Sequence, residues 1–140
     1  MSRLLTDNQV RERLAEDWGD GSPQFFACVK IFEYLRSRPI EQLKHLTLGG
    51  LKISINHDVL DTDLLLATQY LCGERVPVLA LHFEFLDEDD NYHEISRGDM
   101  YFAEKYGRMV HPVSGEFIEN YDENIFIYFT PGELICQGKS

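Results

Sequence analysis

Residues 87–91, Asp87-Glu88-Asp89-Asp90-Asn91, set five oxygen-bearing side chains in a row. The alternation Asp87-x-Asp89-x-Asn91 matches the first three liganding positions of a calcium loop, where hard carboxylate oxygens converge on one cation. The rest of that pattern is missing, because Tyr92 stands where the sharp turn needs glycine and Gly98 where a bidentate glutamate is needed. The segment reads as a solvated hairpin tip, and no metal or cofactor is expected. Four consecutive acids on a short loop create a strong local field, so Asp87, Glu88, Asp89 and Asp90 are assigned as a contact surface for a protein partner with a basic face.

Imidazole serves as metal ligand and as general base near neutral pH. The five histidines, His45, His57, His82, His93 and His111, show neither HExxH nor HxH spacing. His57 with Asp58, Asp61 and Asp63 is the densest His/Asp cluster, yet Asp61 and Asp63 also suit the first turn of a helix, where the macrodipole favours acids. His82 and His93 fall on two strands expected to pair, which suggests a surface pair. Ser114 in Val-Ser-Gly lacks the GxSxG elbow, no cysteine has a histidine beside it, and neither a Walker loop nor GxGxxG occurs. No enzymatic activity is expected.

Cys28, Cys72 and Cys136 are odd in number, far apart and without CxxC spacing, which argues against a disulfide framework or zinc knuckle and for reduced thiols in a cytoplasmic protein. Residues 1–5 lead into polar helix-start residues, and no uninterrupted apolar run approaches the ~20 residues of a membrane span. A soluble, unexported chain with no membrane contact is expected. The net charge of −11 is unevenly spread: residues 1–70 carry 8 basic and 10 acidic side chains, residues 71–140 carry 5 and 14. That field disfavours nucleic acid. Arg36, Arg38, Lys44 and Lys52 form the only basic concentration.

The 140 residues fit one domain, with 44% apolar residues to build its core. Thr6 and Gln9 form a capping box for a first helix that Gly19 stops, and Ser22-Pro23 opens a stronger helix that ends at Arg38-Pro39. Residues 40–46 suit a short third helix. Leu51, Ile53 and Ile55 alternate as a short strand after a Gly49-Gly50 turn, and Asp61 or Thr62 caps a helix running to Leu71. From Val76 to Leu86 the period changes to two, with Leu79, Leu81, Phe83 and Phe85 on one face. Tyr92 to Ile95 returns beyond the acidic loop.

Ser96 with Asp99 caps a helix closed by Gly107, and Pro112-Val113-Ser114-Gly115 turns a hairpin. Ile125 to Phe129 reads as a covered strand, and the tail from Pro131 as frayed. The predicted fold is α+β: a winged-helix-like core with a β-hairpin wing over residues 22–95, and a small α+β extension over 96–135 packed on it. Phe26, Val29, Phe32, Leu35, Leu65, Leu79, Leu81 and Phe83 are expected to share one core. The first functional expectation is a non-catalytic acidic interaction module, an adaptor or regulatory subunit. Its alternative is a stoichiometric inhibitor, immunity protein or antitoxin that blocks a basic nuclease or nucleic-acid-binding partner. A winged-helix transcriptional regulator stands third.

Overall fold

The computed structural model describes residues 5–55 and 59–137. The fold is mixed α+β, and the chain forms two compact units: residues 1–80 with 129–140, and residues 81–128.

In the first unit, α1 (Asp7–Trp18) starts at the expected capping box. The Thr6 hydroxyl accepts from the Gln9 amide at 3.1 Å, and the Gln9 side chain accepts from the Thr6 amide at 2.9 Å. In α2 (Pro23–Ser37), Ser22 Oγ accepts from the Phe25 amide at 3.0 Å and Pro23 occupies the first turn, where its missing N–H costs nothing. Ala27, Cys28, Ile31, Phe32 and Leu35 bury its inner stripe against α1, α3 (Leu48–Ile55) and α4 (Asp61–Leu71). The end of α1 is tied to the end of α4 by charge. Arg75 reaches Asp17 Oδ2 and Glu16 Oε2, both at 2.8 Å, and the Tyr70 hydroxyl donates to Asp17. Arg75 first, then Tyr70, holds the Asp17 carboxyl below the usual carboxylate range.

Several local expectations need correction. Residues 51–55 are helical. Thr47 Oγ1 accepts from the Gly50 amide at 3.0 Å and caps the helix, while Leu51 and Ile55, four apart, turn inward and Ile53 is 67% exposed. Alternation at 51, 53 and 55 thus concealed an i, i+4 pair. The third helix expected at 40–46 is one 3-10 turn, Ile40–Gln42, after which Leu46 exchanges two backbone hydrogen bonds with Phe129 at 2.8 and 2.7 Å. At α4 the cap position is Leu60, and Asp61 and Asp63 lie in the first turn.

The sheet runs β2 (Tyr92–Ile95), β1 (Leu79–Leu86), β5 (Ile125–Pro131). β1 and β2 are antiparallel, with Phe83 opposite Ile95 and Phe85 opposite His93. In the second unit, α5 (Arg97–Tyr106) begins at Ser96 and closes at left-handed Gly107, as its sequence foretells. The hairpin of β3 (Met109–Val110) and β4 (Phe117–Ile118) turns through Gly115 at φ +76°. Phe85, Ile95, Met100, Ala103 and Met109 form the core of this unit, with Phe83, Tyr121 and Ile125 packed on it. Of the eight core residues expected, Val29, Phe32, Leu35 and Leu79 are buried and Leu81 and Phe83 half-buried. Phe26 and Leu65 are exposed, at 37% and 41%.

The tail is docked, contrary to its frayed expectation. Gly132 donates to Val78 O at 2.7 Å, the Leu134 amide donates to Pro77 O at 3.1 Å, and α6 (Glu133–Gln137) buries Leu134 and Ile135. A methyl group at Gly132 would come within 2.5 Å of Pro77 O and 2.8 Å of the Leu79 nitrogen, both backbone atoms. Gly132→Ala is therefore expected to destabilise by about 1–3 kcal/mol, the usual cost of forcing an extra carbon into packed surroundings. Urea titration followed by the fluorescence of Trp18, which lies in the same unit, checks this. An unshifted midpoint would mean the tail does not hold this contact.

Candidate functional site

The β1 to β2 loop is built around one carboxylate. Asp87 Oδ1 accepts from the amides of Asp89 and Asn91, both at 2.9 Å, while Oδ2 meets His93 Nε2 at 2.6 Å. An ionised carboxylate only accepts, so Nε2 carries the proton of this bond. His93 and then the two backbone amides hold the Asp87 carboxyl below its ordinary range. These bonds draw Asp87 in, leaving its side chain 10% exposed. They also support the bend at Asp90, whose φ of +63° is tolerated by an aspartate better than by most side chains. Glu88, Asp89 and Asp90 are left pointing into solvent. The four acids thus divide into one brace and three presented charges.

His93 sits on the core face of β2, opposite Phe85, and both rings meet His111 from the β3 to β4 turn. The His93 and His111 ring centroids are 5.4 Å apart, and Phe85 meets His111 edge to face at 5.8 Å. His111 caps its own turn: Nδ1 accepts from the amides of Val113 at 3.1 Å and Ser114 at 3.2 Å. One ligand atom from each of Asp87, His93 and His111 lies within 4.8 Å of the others, and all three residues are half-buried. Beside them opens a cleft of about 560 Å³ lined by Asp99, Phe102, Val110, His111, Pro112 and Val113.

The expected surface pair of His82 and His93 does not form, because the register places them on opposite faces of the hairpin. His82 bonds Glu94 at 2.9 Å and stacks on Tyr128 at 4.8 Å. Of the cluster around His57, that residue and Asp58 lie outside the described residues. Asp61 pairs with Lys52 at 2.5 Å and Asp63 accepts from Gln24 at 2.8 Å. Burial pushes the Cys28 thiol up to about 12, which keeps it protonated and unreactive at neutral pH. Ser114 Oγ accepts from the Glu116 amide at 3.3 Å within its own turn.

The role of His111 was not legible from sequence. Its neighbours in space lie 18 and 24 positions upstream, at His93 and Asp87, and depend on how the second hairpin packs. The Asp87 to His93 bond depends on register: His93 stands opposite Phe85, and Asp87, two positions on, is its diagonal neighbour on the same face. No family model, curated protein or solved structure matches the chain.

Proposed function

We propose that this protein is a non-catalytic interaction module, an adaptor or regulatory subunit, that receives a basic protein partner on residues 81–128. The observation that carries the reading is the concentration of charge. Those residues hold 12 acidic and 3 basic side chains, a net −9 of the chain's −11, and Glu88, Asp89 and Asp90 stand exposed on a braced tip. A field of one sign on a fixed loop accelerates encounter with an oppositely charged surface and rejects like-charged ones. Exposed Tyr101, Phe102 and Val113, on the same unit, supply apolar area of the kind that anchors a partner once it has arrived.

The inhibitor reading is a narrower form of this proposal, favoured by the same row of three exposed carboxylates, which suits a phosphate-binding surface on a nuclease or nucleic-acid-binding protein. The regulator reading has less support. Within the winged-helix-like reading of residues 22–95, Arg36 pairs with Asp7 at 3.2 Å and lies over Phe32, Arg38 lies over Tyr34, and Lys52 pairs with Asp61. These basic side chains are engaged within the fold, and an acidic wing tip repels phosphate.

The test uses the full chain as bait in an extract of its native host, followed by association kinetics with the captured partner. Changing Glu88, Asp89 and Asp90 together to Gln, Asn and Asn is expected to slow association by roughly tenfold or more at low salt, within the range of electrostatic steering, and to matter little at high salt. The urea midpoint should be unaltered, because Asp87 keeps the loop closed. Association that is equally fast in the variant would defeat the proposal. Binding of duplex DNA at ~10⁻⁶ M or tighter in physiological salt, the tight end of ordinary non-specific affinity, would favour the regulator reading instead.

A further inference from the structure

Asp87 follows β1, His93 lies on β2 and His111 follows β3, yet one ligand atom of each falls within 4.8 Å of the others. A zinc-class ion holds nitrogen and carboxylate oxygen at about 2.0–2.2 Å, so neighbouring ligands around it stand roughly 3–3.5 Å apart in that geometry. Closing the cluster onto an ion therefore takes a shift of the order of 1–2 Å, given that bond length. The side chains that must move are half-buried. Two imidazoles and one carboxylate are a donor set of intermediate softness that suits zinc, cobalt(II) or iron(II), and suits calcium poorly because calcium prefers six to eight oxygens.

We infer that Asp87, His93 and His111 form a three-ligand site for a divalent transition-metal ion of the zinc class, with a coordination position left over for water. This inference goes beyond the interaction reading and stands independently of it. It also differs from the calcium-loop pattern in the sequence, since Asp89 and Asn91 take part only through their backbone.

The parts of the site have defined tasks. The ion takes the place of the proton between Asp87 Oδ2 and His93 Nε2, and that ring then carries its proton on Nδ1. The Asp89 and Asn91 amides remain on Oδ1 and hold the carboxylate in place, as outer-shell donors do at metal sites. Coordination by His111 must disturb the Val113 and Ser114 amides that rest on its Nδ1. Phe85 walls one side, edge-on to His111.

The experiment is a titration of zinc chloride and, separately, cobalt(II) chloride into the chelator-treated full chain. Calorimetry gives affinity, cobalt absorption gives geometry, and amide resonances give location. The expected result is one ion per chain, a visible cobalt band of four- or five-coordinate type, and shifts of the Val113 and Ser114 amides. His111→Ala is expected to weaken binding by more than roughly 100-fold, beyond the 10–100-fold that loss of an outer-shell partner costs. His93→Ala should do the same. Two controls should keep wild-type affinity: His82→Ala, on the opposite hairpin face, and Glu88→Gln, at the exposed tip. Absence of zinc binding at millimolar ion, full affinity in His111→Ala, or loss of affinity in either control would overturn the assignment. If the His93 variant unfolds, as judged by circular dichroism, the His111 variant and the wild-type resonance shifts decide the matter alone.

Discussion

Replacing Phe32 by alanine is expected to lower stability by about 3–5 kcal/mol, the range seen when a buried aromatic ring is deleted and its cavity only partly collapses. Phe32 is 2% exposed on α2, the helix against which α1, α3 and α4 all pack. The Arg36 guanidinium lies 5.1 Å over its ring and loses that face as well. A loss this large is a major fraction of the 5–15 kcal/mol that typically separates folded from unfolded states. Urea unfolding followed by Trp18 fluorescence should show the midpoint falling steeply with little change in slope. A loss below ~1 kcal/mol, far under the aromatic-to-alanine range, would mean that α2 does not organise this core.

Phe85→Ala is expected to have an effect of similar size, about 3–5 kcal/mol on the same grounds, expressed in residues 81–128. Phe85 is 4% exposed, belongs to the core of that unit, stands opposite His93 in register and meets His111 edge to face. Its removal should speed amide exchange in peptides covering residues 92–106, because β2 and α5 both close over this core. Exchange unchanged there would show that Ile95, Met100 and Met109 suffice without the ring.

Legibility followed the range of the interactions. Three caps in which a side chain bonds a backbone amide three residues away, at Thr6, Ser22 and Ser96, are legible in the sequence. The hairpin of residues 109–118 is legible in its turn residues and the strand Leu79–Leu86 in its period of two, although its burial does not alternate: Leu79 and Phe85 are buried and every residue between them is half-buried. Legibility fails where a distant contact decides, and also at two local caps, Thr47 of α3 and Leu60 of α4. Leu51 and Ile55 satisfy both a strand's alternation and a helix's i, i+4 spacing, and what selects the helix is burial of that pair with the Thr47 cap. Leu46 extends because Phe129 pairs with it, 83 positions on. Asp87 was recognised as one of four acids, but its inward bond to His93 distinguishes it from its three neighbours.

The return of residues 129–135 to the first unit sets a condition on how the chain is made. A nascent chain that has reached residue 128 contains every helix of the first unit except α6. It still lacks the partners of the Leu46 backbone, of Pro77 O and of Val78 O, all of which are supplied by Phe129, Gly132 and Leu134. At ~5–20 residues per second, about 2–10 seconds separate synthesis of the last residues of the first segment from those that complete it. Residues 81–128 are contiguous, and the contacts of their core need no residue made after 128. A chain that stops at residue 128 carries α1 to α5 without α6, and its first core is left open.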